Sequence, residues 1–177
     1  MFSAVKTMFS RHPLICNSVV YGILYTGAEF SQQTVTRKIM RKGEPVPYDT
    51  GAIARYGVLG VGFYPAIYYY WYRWLDKAFR GRAATTIIKK MFLDQFLLTP
   101  PLLVAFYISM SLMEGKENII EECKRKVMPT FKTSCMFWLP AQALNFMVVP
   151  PAARVVYVGS CALVWVNILC WFKRQDY

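Results

Sequence analysis

Four ionisable residues lie within or beside long apolar stretches of this sequence: Glu29, Arg55, Asp94 and Arg154. Two are acids and two are bases, so they can neutralise one another. A charged side chain at mid-bilayer costs about 2.5–3.5 kcal/mol even on insertion-based scales, so residues of this kind turn away from lipid. Lys90 and Asp94 are four apart and share a helix face, where they can pair. Two chemistries are open to the polar set. Glu29, Gln32, Asp94, Gln95, Gln142 and Asn145 can line a hydrated path for small solutes. Alternatively, they hydrogen-bond across helices and hold a bundle together. Catalysis has little support, and no catalytic residue is expected. Ser and Cys nucleophiles need a base within hydrogen-bond reach, and the single histidine, His12, precedes the first apolar segment. A Glu29–Asp94 pair could do acid–base work, but no pattern marks a substrate pocket for it. Gly57, Gly60 and Gly62 fall inside an apolar segment, where packing explains them better than phosphate binding. The five cysteines, Cys16, Cys123, Cys135, Cys161 and Cys170, are odd in number and never in CxxC spacing. A disulfide framework, a zinc site and any other metal or cofactor are therefore not expected. All but Cys123 read as small buried apolar residues in helices.

The elements that must position these groups follow from composition. The chain has 177 residues, of which 55% are hydrophobic and only 18% charged, and that apolar content excludes intrinsic disorder. The formal net charge is +11. Nucleic acid is not the expected partner, because the basic residues separate apolar runs and do not form one stripe. Basic residues flanking apolar runs mark a multispanning membrane protein, whose partner is the lipid bilayer.

Five apolar segments are legible. The first, roughly 13–36, begins with Pro13, which suits a first helical turn. Ser18, Gly22, Tyr25, Glu29, Gln32 and Thr36 recur in it at helical spacing and form one polar or small stripe, expected to face other helices or water. The second, roughly 49–77, should be capped by Asp49 or Thr50, kinked at Pro65, and closed by an interfacial aromatic belt around Tyr68–Trp74. The third, roughly 85–113, carries Lys90, Asp94, Gln95 and the Pro100–Pro101 pair. An amphipathic stretch, roughly 116–128, has Ile119, Ile120, Cys123 and Val127 on one face and should lie on the membrane surface. The fourth segment, roughly 130–149, places Trp138, Gln142 and Asn145 on one face and should kink at Pro140. A Val149–Pro150–Pro151 turn then leads to the fifth, 152–172. The fold expected is an all-α membrane protein, a bundle of four to five transmembrane helices plus one amphipathic surface helix. Residues 1–12 form a basic N-terminal segment, 13–172 a single transmembrane domain and 173–177 a short tail.

Two runs carry a family resemblance. Lys90-Met91-Phe92-Leu93-Asp94-Gln95 with Pro100 matches a Lys-x-x-x-Asp-Gln-x(4)-Pro pattern. Trp138-Leu139-Pro140-Ala141-Gln142-Ala143-Leu144-Asn145-Phe146, continued by Pro150, Arg154 and Trp165, matches a Trp-x-Pro-x-Gln-x-x-Asn-Phe signature. Together they resemble the Mpv-seventeen and peroxisomal membrane protein family of small multispanning organelle membrane proteins. Phe106–Ser111 with Gly115-Lys116 looks most like its Mpv-seventeen-like branch. The resemblance implies a non-enzymatic protein of the mitochondrial inner membrane, with the peroxisomal membrane as the other compartment. It further implies a weakly selective channel for small polar solutes or ions, with links to mitochondrial homeostasis and reactive-oxygen metabolism. A homo-oligomer is expected only if the pore is wide, because five helices enclose at most a narrow path. A non-conducting structural or regulatory membrane protein is the alternative.

Overall fold

The computed structural model describes residues 11–40, 47–81, 83–148 and 154–174, and among these the regular structure is entirely helical. The chain divides into two compact units, Met1–Ala78 and Phe79–Tyr177, within the stretch that the sequence suggested as one domain.

In the first unit, α1 spans Pro13–Val35 and continues into a π-helical turn, Thr36–Met40. Its faces are sorted by polarity in the reverse of the soluble pattern. Gly22, Tyr25, Glu29, Gln32 and Gln33 are buried, while Ile15, Val19, Val20, Ile23, Phe30 and Val35 are exposed. An isolated exposed apolar residue needs no explanation, but a whole aliphatic face turned outward is what lipid contact requires. α2 spans Thr50–Gly62, and the Asp49 carboxylate caps it by accepting from the Ala52 N–H at 2.8 Å. α1 and α2 approach at backbone contact. A Cβ added at Gly60 would come within 2.6 Å of the Tyr21 carbonyl oxygen, so only glycine fits there. This is small-residue membrane packing, as the glycines of this segment indicated. The expected kink at Pro65 is corrected: the helix breaks at Phe63, and α3 runs Tyr64–Ala78. Proline has no N–H to extend the preceding helix, yet its fixed φ suits the first turn of a new one. Ring stacking then ties α3 to α1, with Tyr64 over Tyr25 at 5.1 Å and Tyr68 over Tyr21 at 5.6 Å between centroids.

In the second unit, α4 (Ala84–Leu93), a π turn (Asp94–Leu98) and α5 (Thr99–Met113) form one 30-residue helix. Its most apolar window has a mean hydropathy of 1.8, and among the described residues it is the one helix long and apolar enough to cross a membrane by these measures. The Pro100–Pro101 pair does not break it. The preceding turn widens, and the Asp94 carbonyl accepts both the Thr99 N–H and, at 3.0 Å, the Thr99 hydroxyl. A π turn relieves the clash that a proline ring makes with the i−4 carbonyl.

α6 runs without interruption from Ile119 to Met147, through Pro129 and Pro140. The separate amphipathic surface helix is therefore corrected: 119–128 is the first third of α6. Twenty-nine residues extend about 43 Å, longer than the roughly 30 Å hydrocarbon core. Hydroxyls near Pro129 reinforce the chain, Thr130 donating to the Lys126 carbonyl at 2.7 Å and Thr133 to that of Pro129 at 3.0 Å. α7 spans Arg154–Arg174. Lys173 and Arg174, expected in a tail, are its last turn. The Val149–Pro150–Pro151 turn and nearly all of the basic N-terminal segment lie outside the described residues.

Candidate functional site

Glu29 is wholly buried on the inward face of α1. Gln33, one turn later, donates to Glu29 Oε1 at 2.9 Å and to the Asp49 carbonyl at 3.0 Å, and accepts from the Asp49 N–H at 2.9 Å. One amide thus links a buried carboxylate to the N-cap of α2. Gln32 is buried beside it and donates to the Thr36 hydroxyl at 3.1 Å. Arg55 pairs at 3.6 Å with Asp49, the N-cap residue six positions earlier. The partners anticipated for it deep in the bundle give way to this local pair, because the cap already places a carboxylate within reach.

In the second unit Gln95 is buried and donates to the Ser134 hydroxyl at 3.0 Å and the Cys135 sulfur at 3.3 Å, joining the π turn to α6. Lys90 and Asp94 lie one turn apart on this helix, both half-buried. Gln142 is half-buried on α6. Asn145, Phe146 and Arg154 have helical backbones but side chains outside the described residues, and Pro150 lies outside them altogether. Of the signature residues, Trp138 meets Trp165 edge-on across α6 and α7 at 6.5 Å between centroids, and Phe137 stacks on Trp165 at 5.9 Å. Pro140 is exposed on α6. The cysteine reading is corrected in part: Cys123 is buried, whereas Cys135 and Cys161 are only half-buried.

The densest polar arrangement is one that sequence reasoning missed. Where the C-terminal ends of α5 and α7 meet the N-terminal end of α6, the Glu122 carboxylate receives four donors. These are the Ser111 hydroxyl at 2.7 Å, Lys173 Nζ at 2.9 Å, Lys126 Nζ at 3.0 Å and Lys116 Nζ at 3.0 Å. Glu114 adds a second carboxylate, 3.0 Å from Lys173 and 3.4 Å from Lys116. Three ammonium groups against two carboxylates leave one positive charge. Lys126 Nζ also donates to the Lys173 carbonyl at 2.6 Å, satisfying an orphan acceptor at the negative end of α7. Beneath the cluster, the Tyr107 and Thr130 hydroxyls share a hydrogen bond of 2.6 Å.

Partial burial works to lower the Lys116 ammonium, but its bonds to Glu122 and Glu114 outweigh that and raise it. The available signal was the Glu122–Lys126 spacing of four with Thr130 four further on. It marks one helix face, the charged face of the stretch expected to lie on the membrane surface.

The Mpv17 / PMP22 family model matches residues 111–170, a stretch that includes the Glu122 cluster up to Lys126 and the α6–α7 signature. The Mpv17-like protein of Xenopus laevis is 34% identical over 166 residues, covering 94% of this chain and 79% of that protein. Protein sym1 of Aspergillus oryzae is 31% identical over 178 residues, covering 99% of each. The peroxisomal membrane protein 2 of Bos taurus is 24% identical over 156 residues, covering 87% of this chain and 80% of that protein. No solved structure matches the chain.

Proposed function

Because the chain belongs to the Mpv17 / PMP22 family and is a membrane protein of that family, we propose that it is a weakly selective channel for small polar solutes or ions in the mitochondrial inner membrane. The observation that carries this reading is the sorting of α1. Its aliphatic side chains are turned outward, while Glu29, Gln32 and Gln33 are turned inward. Polar groups inside a membrane bundle either pair or contact water, and a carboxylate among them sets a preference for cations. The chain crosses the membrane more than once, with α4–α5 as its most apolar crossing and α6 and α7 as two others. It acts without catalytic chemistry. The inner-membrane location and the link to reactive-oxygen metabolism rest on the family resemblance, and peroxisomal membrane is the other compartment consistent with it.

A second reading has its own support. Gln33 with Asp49, and Gln95 with Ser134, use inward polar groups to join helices. A protein whose interior is paired in this way throughout would be a non-conducting scaffold acting through partners.

Efflux from proteoliposomes loaded with solutes of graded size tests the two. A channel releases small polar solutes up to a size limit. A scaffold leaves every solute inside.

A further inference from the structure

The outward face of α6 alternates apolar and basic residues from one turn to the next. Ile120, Lys124, Met128, Lys132 and Met136 follow one another at steps of four, and all are exposed, Ile120 at 67%, Met128 at 57% and Met136 at 78%. The opposite face buries Glu122, Lys126, Thr130 and Ser134. Both faces therefore carry lysine, but with different consequences. The ammonium of Lys126 is consumed by Glu122 and the Lys173 carbonyl. Lys124 and Lys132 project outward. Arg125 adds a third exposed cation beside them, and Glu121 is the exposed acid on the same stretch, one turn from Arg125. Three cations against one acid leave the face net positive by two.

We propose that this face binds anionic phospholipid headgroups, with Lys124 and Lys132 on the phosphates and Ile120, Met128 and Met136 against the acyl chains. The inference rests on α6 crossing the membrane. At about 43 Å the helix exceeds the hydrocarbon core by roughly nine residues, which puts its first turns at headgroup level. Helical side chains lean toward the N-terminus, so Lys132, about one turn deeper than Met128, reaches back toward that same level along its own apolar stem. Alternating apolar and cationic residues fit a phospholipid, which offers an acyl surface below and a negative charge above. They fit neither plain hydrocarbon, which would exclude the lysines, nor water, which would exclude the methionines. Anionic lipid has a complementary charge and zwitterionic lipid has none, so the face should discriminate between them.

The test uses the full chain reconstituted in phosphatidylcholine bilayers, with spin-labelled phosphatidylglycerol and spin-labelled phosphatidylcholine as probes. The fraction of each probe immobilised at the protein surface is read by electron spin resonance. The wild type should immobilise the anionic probe with a several-fold preference that shrinks as salt rises. The Lys124→Gln/Lys132→Gln variant should lose most of that preference, and Lys89→Gln, an exposed lysine on α4, should keep it. Unchanged preference in the double variant would overturn the proposal. So would equal loss in Lys89→Gln, which would assign the effect to overall charge. Flotation with the vesicles separates the two levels of inference. Inserted protein without lipid preference overturns the headgroup site alone, whereas protein that does not insert overturns the membrane-spanning reading together with it.

Discussion

Lys173 Nζ lies 2.9 Å from Glu122 Oε1, although the two residues are 51 positions apart in the chain. The contact joins the last turn of α7 to the first turn of α6, and Ser111 brings in the end of α5 through 2.7 Å and 3.0 Å bonds to the same two residues. Three helix ends are thus tied by one carboxylate. Removing one partner of a buried ion pair is far more costly than removing both, because the survivor stays desolvated and unpaired.

Glu122→Gln should therefore destabilise the second unit by roughly 3–5 kcal/mol, leaving Lys126 and Lys173 buried with only Glu114 to compensate. Thermal unfolding in detergent would show a large drop in midpoint. Lys116→Gln, at the solvated rim, should cost well under 1 kcal/mol by comparison. A cluster of no structural consequence would give the two variants equal midpoints.

Glycines in the first unit differ in what a methyl group would meet. At Gly60 it would strike the Tyr21 backbone at 2.6 Å, at Gly22 a side-chain methyl of Val61 at the same distance, and at Gly27 nothing within 4 Å. Gly60→Ala should destabilise by about 1–3 kcal/mol through separation of α1 and α2. Gly22→Ala should cost less, since Val61 is partly exposed and its side chain can shift. Gly27→Ala should be neutral or slightly stabilising, as expected for a helical glycine replaced in open space. Midpoints in that order check the close approach. Equal midpoints for Gly60→Ala and Gly27→Ala would contradict it.

Gln33→Leu removes two hydrogen bonds to the Asp49 backbone and one to Glu29. A loss of about 1–3 kcal/mol is expected, because buried donors and acceptors are left without partners. Hydrogen exchange at the Asp49 amide should rise. Protection equal to wild type would show that the clamp is dispensable.

Much of this architecture was legible in the sequence, because the signals were local. The Asp49 cap and the polar stripe through Tyr25, Glu29 and Gln32 depend only on spacing along one helix. Pro65 suggests a kink within one helix, whereas the helix ends at Gly62 and a new one opens at Tyr64, since proline cannot extend the helix before it. The charged, amphipathic pattern of 116–128 suggests a boundary before 130 that α6 does not have. The Glu122 cluster was missed for a more general reason. Glu122, Lys126 and Thr130 share a face, and in a soluble helix that face would point to water. In a membrane bundle the apolar residues go outward, so the charged face is the one that packs. Ser111 and Lys173, its partners, are far away in sequence and carry no local mark.

The central claim is conduction through a polar interior, and single-channel recording in planar bilayers tests it most directly, with Glu29→Gln and Asp94→Asn beside the wild type. Conduction predicts stepwise wild-type currents whose cation preference weakens in at least one of the two variants while both remain folded. Silent bilayers containing folded, inserted wild-type protein would contradict it.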